Sequence, residues 1–233
     1  MQNQTTLPAT PVHGIVTMPV APYYDEDGIT IYNVDSKKIL PWLQPVDLLL
    51  TDPPYGIGMA KRGTIGTSKA GKVKDYGKSD WDDATPPAWF LDSATKLAGT
   101  SILWGGNYYE GLPPSSCWLV WDKDNTGDFA DCELAWTNMP KAVRKFKWRW
   151  NGMIQEHGGD KKEPRVHPTQ KPLALMRWCL SLVPEAQTVL DPFMGSGTTL
   201  VAARLEGRKA IGIEISERYC ESAVKRLSQK TLF

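Results

Sequence analysis

The sequence predicts an α/β fold built on a mostly parallel sheet. Three observations carry that expectation. Short apolar runs end at acidic residues: Val46–Leu50 before Asp52, Thr188–Leu190 before Asp191, Lys209–Ile213 before Glu214. Runs of this kind read as strands buried on both faces, which is the habit of parallel sheets. Helical patterns lie between several of the runs, as crossovers between parallel neighbours require. Gly195-Ser196-Gly197 stands between a strand-like run and a helical one, the strand–turn–helix order of nucleoside sites. With 233 residues, 41% of them hydrophobic, one large domain with a sizeable core is expected.

In chain order, residues 1–28 are rich in Pro, Thr and Gln and are expected as an N-terminal arm ahead of a domain at 29–233. Ile29–Val34 alternates and is β-rich, so it reads as a strand. Asp35-Ser36 ends it and caps a short helix over Lys37–Leu43. The strand leading to Asp52 follows. Residues 56–80 carry Lys61, Arg62, Lys69, Lys72, Lys74 and Lys78 among glycines, and are expected as a mobile basic loop. A helix from Pro86/Pro87 to Leu97 is closed by Gly99. Strands are expected at Ser101–Trp104, Cys117–Trp121 and Cys132–Thr137. In Lys141–Trp150, the cations Lys145, Lys147 and Arg149 alternate with Phe146, Trp148 and Trp150. A strand would put cations on one face and aromatics on the other. Leu173–Val183 is helical, with Thr169 as its cap, and strand Thr188–Asp191 follows. Helix Leu200–Glu206 stops at Gly207, strand Lys209–Glu214 comes next, and an amphipathic helix over Ser216–Ser228 closes the pattern.

Composition excludes several classes. The net charge of +1 does not announce nucleic acid, so any basic patch must be local. Cys117, Cys132, Cys179 and Cys220 are widely spaced without a C-x-x-C pair, which favours reduced thiols over disulfides or a metal site. No stretch approaches the roughly 18 apolar residues of a membrane span, and no signal-peptide pattern is visible. A cytoplasmic protein is expected.

Two clusters carry chemistry. Asp52-Pro53-Pro54-Tyr55 sits where a parallel strand ends, the place where ligands bind in open α/β sheets. The prolines fix the backbone and leave their carbonyls as acceptors. Two acceptors beside the Tyr55 ring suit an exocyclic base amine. The same letters also fit a plain turn. At the second cluster, Gly195 and Gly197 let backbone approach a ligand, and the helix start offers N–H groups to a carboxylate. Glu214, nineteen residues after Gly195, is placed to take ribose hydroxyls. The full dinucleotide pattern is missing, because Leu200 stands where its third glycine would be. A cofactor with a single nucleoside fits better.

The order of Asp52-Pro53-Pro54-Tyr55, a basic segment, His167-Pro168-Thr169-Gln170-Lys171-Pro172, Asp191-Pro192-Phe193-Met194-Gly195-Ser196-Gly197 and Ile213-Glu214 resembles the β-class DNA amino-methyltransferases. The resemblance covers about residues 29–228. It implies a Rossmann-like, circularly permuted methyltransferase topology, with a seven-stranded, mostly parallel sheet flanked by helices. The strand ending near Asp35 would lie beside the strand ending at Glu214. It implies S-adenosyl-L-methionine as cofactor and methyl transfer to adenine N6 or cytosine N4 of double-stranded DNA. Asp52, Pro53, Pro54 and Tyr55 would grip a flipped base. Asp191, Phe193, Gly195 and Gly197 would line the methionine part of the cofactor. Thr198, Thr199, Thr169 and Lys171 would hold its carboxylate, Glu214 its ribose, with Asp35 near its adenine and His167 close by. Asp at the first motif position leans towards adenine. A small DNA-recognition insertion is expected at about 124–166. Lys61, Arg62, Lys72, Lys74, Arg144, Lys145, Lys147 and Arg149 are the candidate DNA contacts.

Two other classes stay open at this point. One is a methyltransferase on protein glutamine or RNA, whose similar Pro-Pro-Tyr sites usually start with Asn and follow the cofactor motif. The other is a nucleic-acid-binding protein that kept the fold without catalysis. The recognition sequence, the oligomeric state (a homodimer included) and a restriction nuclease partner are not legible.

Overall fold

The computed structural model describes residues 18–58, 64–65, 74–75, 82–124, 130–151, 154–156, 163, 166 and 169–229. Its strands are β1 (Tyr24–Glu26), β2 (Ile29–Asn33), β3 (Val46–Thr51), β4 (Thr64–Ile65), β5 (Lys74–Asp75), β6 (Ala98–Trp104) and β7 (Leu119–Asp122). They continue with β8 (Cys132–Thr137), β9 (Arg144–Lys147), β10 (Trp150–Asn151), β11 (Ile154–Gln155), β12 (Thr188–Asp191) and β13 (Lys209–Glu214). The helices are α1 (Ser36–Ile39), α2 (Ala88–Lys96), α3 (Leu173–Ser181), α4 (Thr198–Leu205) and α5 (Glu217–Ser228).

Among the described residues nine strands form one sheet in the order β1-β2-β13-β12-β3-β6-β8-β7-β9. The expected count of seven is therefore corrected to nine. The seven from β2 to β7 are the predicted sheet, and a short strand adds to each edge. The edge strand β1 arises because Asp27 and Gly28 both take positive φ, 50° and 77°, turning the chain back on β2. β2, β13, β12, β3 and β6 run parallel, while β8 is antiparallel to both β6 and β7. Glu214 pairs with Asn33, so strands whose residues lie 181 apart in sequence are neighbours, as the permuted order requires.

The central strands are buried on both faces. Leu48, Leu50, Ile102 and Val189 face one core with Leu175, Met176 and Leu180 of α3 and Leu200, Ala202 and Ala203 of α4. Leu49, Leu103, Leu190 and Ile213 face the other with Ile39 of α1 and Phe90, Leu91 and Ala94 of α2. This two-sided burial explains why the strands read as apolar runs rather than as alternation.

Three local expectations change. The helix expected over Lys37–Leu43 is α1 followed by a 3-10 turn at Leu40–Trp42, because Pro41 has no N–H to continue the ladder. Gly99 does not close α2 but lies inside β6; the helix ends at Leu97, whose N–H bonds back to Ala94 and Thr95. Thr169 does not cap α3; the carboxylate of Glu163 accepts from the Leu173 N–H at 2.9 Å. Within the segment expected as a loop at 56–80, β4 and β5 pair antiparallel. No described helix is long and apolar enough to cross a membrane.

Candidate active site

Parallel strands bring their carboxyl ends to one rim, and the candidate residues come with them. Asp52 follows β3, Asp191 ends β12 and Glu214 ends β13. A cavity of about 640 Å³ opens along this rim, lined by Asp35, Asp52, Pro54, Thr169, Lys171, Asp191, Phe193, Gly195, Thr198, Thr199 and Glu214, among others. Clusters separated by some 140 residues therefore share one hollow. The Thr51 hydroxyl donates to Asp191 Oδ1 at 2.7 Å, tying the two strand ends together.

On the glycine-turn side, Glu214 accepts from the N–H of Gly195 at 3.1 Å and of Ser216 at 2.8 Å, one on each oxygen. The Ile215 N–H also bonds to this carboxylate, which keeps lone-pair capacity for a ligand hydroxyl. Burial pushes Glu214 up to about 7 and Asp191 up to about 6, against the hydrogen bonds that lower them. Gly195 and Gly197 have φ of 50° and 76°. Gly197 does not line the cavity: a Cβ there would meet the Ala223 side chain at 2.7 Å, so its bareness serves the approach of α5. Asp35 caps α1 through the Lys37 N–H. Arg226 Nη1 donates to the Ser196 carbonyl and the Thr198 hydroxyl, both at 2.9 Å, and pairs with Glu163.

On the Pro-Pro side, the turn is fixed by Asp82, whose Oδ1 accepts from Tyr55 N–H at 2.9 Å and Gly56 N–H at 3.0 Å. The Tyr55 hydroxyl donates to Asp52 Oδ1 at 2.7 Å. The Tyr109 hydroxyl lies 2.8 Å from the Pro53 carbonyl oxygen and 2.9 Å from that of Trp104. The Tyr55 ring is pressed on Gly105, where an added Cβ would sit 2.1 Å from Cε1. Tyr108, 44% exposed, stacks on that ring at 4.9 Å between centroids and 13° between planes. A base stacking on Tyr55 meets Tyr108 first on that face.

The structure brings Lys171 to the Asp52 side. Its Nζ is 2.6 Å from Asp52 Oδ2 and 3.1 Å from Glu133 Oε2, and Glu133 is also paired with Lys123. Burial raises the Asp52 carboxyl, Lys171 opposes this and Glu133 adds to it, leaving it above the ordinary value. Burial also pushes Glu133 up, but Lys171 and Lys123 outweigh it and hold that carboxyl near 2. Lys171 is held above its usual value: burial lowers it, and Asp52 and Glu133 more than reverse that.

β9 lies beyond β7 and parallel to it, so its carboxyl end reaches the same rim. The strand expected through Trp150 ends at Lys147, and Trp150 lies in β10 of a separate two-stranded sheet; within β9 Phe146 stacks on Trp178 at 5.1 Å while Lys145 and Lys147 are exposed. The cations have acidic partners: Lys145 with Asp122, and Lys147 and Arg149 with Asp124. His167, Lys61, Arg62 and Lys72 lie outside the described residues, and Lys74 is described only as backbone of β5. Sequence reasoning missed Asp82, Gly105, Tyr108, Tyr109, Lys123, Glu133 and Arg226. Only Gly105-Gly106, just after a strand, carried a local signal of a special turn.

Residues 120–225 match the N6_N4_Mtase family model, described as DNA methylase. Type II methyltransferase M2.LlaDCHI of Lactococcus lactis subsp. cremoris is 27% identical over a 258-residue alignment, covering 89% of this chain and 92% of that protein. Type II methyltransferase M2.DpnII of Streptococcus pneumoniae is 27% identical, covering 88% and 92%. Two solved structures share the fold. The M1.HpyAVI-SAM complex has TM-score 0.52 and 24% identity, covering 86% of this chain and 99% of that one. The cytosine-N4-specific PvuII DNA methyltransferase has TM-score 0.56 and 16% identity, covering 93% and 92%.

Proposed function

We infer that this chain, one of the DNA methylases, transfers a methyl group from S-adenosylmethionine to the exocyclic amine of a base flipped out of double-stranded DNA. The single observation that carries the reading is the shared cavity: Asp52 and Pro54 line it together with Gly195, Asp191 and Glu214. We further propose adenine N6 as the target atom, on the lean of an Asp at position 52.

The cavity fits the cofactor. Its volume is that of a site for a drug-sized ligand. Glu214 offers lone-pair capacity for ribose hydroxyls, Ile215 presents an exposed apolar side chain to a ring, and the start of α4 offers N–H groups to a carboxylate. Bound there, S-adenosylmethionine supplies an electrophilic methyl carbon. The chain's own residues do the rest. Flipping costs a few kcal/mol, and stacking on an exposed aromatic ring, here Tyr108 where it covers Tyr55, returns about 1–3 kcal/mol. The Asp52 carboxylate and the Pro53 carbonyl accept the two amine hydrogens. This pulls the nitrogen towards tetrahedral geometry, with its lone pair facing the cavity. Transfer then gains from positioning, and the Asp52 carboxylate stands ready for the proton that the methylated nitrogen sheds. The cations of β9 and of the basic segment 56–80 are proposed as phosphate contacts, and residues 124–166 as the recognition segment.

The test is direct. Purified chain is incubated with double-stranded DNA and tritiated S-adenosylmethionine, and the DNA is digested to nucleosides. Label in N6-methyldeoxyadenosine is expected. Label in N4-methyldeoxycytidine would overturn the adenine assignment, and absence of label in DNA would overturn the function.

A further inference from the structure

We propose that Lys171 and Glu133 are positioning residues for methyl transfer: Glu133, itself held by Lys123, fixes the Lys171 ammonium on Asp52, and Lys171 pairs the Asp52 carboxylate as an anion aimed at the amine. The proposal rests on the reading of Asp52 as the group that holds the amine.

The geometry is that of a closed set. The side chain of Lys171 is 6% exposed, and its Nζ is 2.6 Å from Asp52 Oδ2, 3.1 Å from Glu133 Oε2 and 3.1 Å from the Tyr55 hydroxyl oxygen. An ammonium has three N–H donors, and all three are engaged. None is left for a cofactor carboxylate. The Tyr55 hydroxyl accepts from Lys171 and donates to Asp52 Oδ1 at 2.7 Å. Each Asp52 oxygen therefore holds one partner and keeps lone-pair capacity for an amine hydrogen. Two carboxylates and two ammoniums, Asp52, Glu133, Lys171 and Lys123, balance in charge.

The balance matters because an acceptor must be ionised. A protonated carboxyl would present an O–H to the amine and lose part of its acceptor capacity. Removing a carboxylate from water favours the neutral form, and a well-placed cation offsets this. The charged and titratable groups around Asp52 are Lys171 from the segment before α3, Glu133 from β8, Tyr55 from the Pro-Pro turn, Tyr109 from the segment after β6 and Asp191 from β12. Among the described residues Lys171 is the one cation in that set. Glu133 opposes it as an anion, and its place is to hold Lys171.

The two residues therefore act on Asp52 with opposite sign, which a merely structural role would not produce. We would measure kcat/KM against pH, cofactor affinity by calorimetry and thermal unfolding for Lys171→Met, Lys171→Arg and Glu133→Gln. For Lys171→Met, kcat is expected to fall by ~10²-fold, as when an electrostatic partner is lost. Its acid limb should move up by about one pH unit or more, with cofactor affinity unchanged. For Glu133→Gln the acid limb is expected to move down. For Lys171→Arg it stays where it is in the wild type. Should Lys171→Met fail to fold, the isosteric Glu133→Gln still gives the sign of its shift, and Lys171→Arg still tests whether the charge at this position sets the limb. A Lys171→Met variant that loses cofactor affinity without moving the acid limb would make Lys171 a cofactor ligand and overturn the proposal. So would limbs that move together or not at all. If the wild type transfers no methyl group to DNA, the underlying reading fails instead.

Discussion

Replacing Gly105 by Ala should disable the site without touching a group that bonds to substrate. Gly105 has φ of +74°, and a Cβ there would lie 2.1 Å from Cε1, 2.5 Å from Cδ1 and 2.8 Å from Cζ of Tyr55. The left-handed conformation alone costs an L-residue about 1–2 kcal/mol. The ring must also withdraw by about 1.3 Å to reach ordinary contact at 3.4 Å, and a ~1 Å misplacement is worth ~10²-fold in rate. The Tyr55 hydroxyl goes with the ring, stretching its 2.7 Å bond to Asp52, a charge-assisted bond of about 1.5–3 kcal/mol. Together these predict a loss of roughly 3–5 kcal/mol in stability and ~10²-fold in kcat. Cofactor affinity should be unchanged, because Tyr55 does not line the cavity. Thermal unfolding, tritium transfer and calorimetry read the three quantities. A Gly105→Ala variant with wild-type unfolding and wild-type transfer would refute the packing argument for the Tyr55 ring.

Other outcomes follow from single interactions. Glu214 is raised from 4.5 to about 7 in the folded chain, so protonation favours folding and the stability present below about pH 4.5 is lost as pH rises through 7. Glu214→Gln should therefore raise the melting temperature of the ligand-free chain at pH 8 but not at pH 4, and weaken cofactor binding; equal melting curves at pH 8 would contradict it. Asp82→Ala removes the acceptor for two turn N–H groups and should cost about 1–3 kcal/mol in chemical unfolding, with transfer reduced; an unchanged midpoint would contradict it. Replacing Lys145, Lys147 and Arg149 together by Ala should flatten the salt dependence of DNA affinity by about 0.9 for each phosphate no longer neutralised. An unchanged slope removes β9 from the interface.

What was legible in the sequence was what local periodicity encodes. β12 and β13 fall on the predicted residues because buried parallel strands leave uninterrupted apolar runs, and Asp191 and Glu214 are marked by ending them. Asp52 was legible for the same reason. β1 was missed although Asp27-Gly28 is a hairpin signal, because the acidic run around it hides a strand of three residues. Glu133 lies on a strand that was predicted, yet nothing in its spacing links it to Asp52, 81 residues away. Asp82 likewise carries no local pattern, and its role appears only when the chain returns to the Pro-Pro turn. Gly197 shows a different limit: a glycine needed for helix packing and a glycine needed for ligand approach look alike until a neighbour such as Ala223 is placed.

The role of Asp52 as the group that holds the amine is tested by tritium transfer to DNA by Asp52→Ala, run beside calorimetry with S-adenosylmethionine. Transfer is expected to fall by ~10²–10³-fold or more, while cofactor affinity stays near that of the wild type. Transfer near the wild-type rate by a variant that still binds cofactor would contradict it.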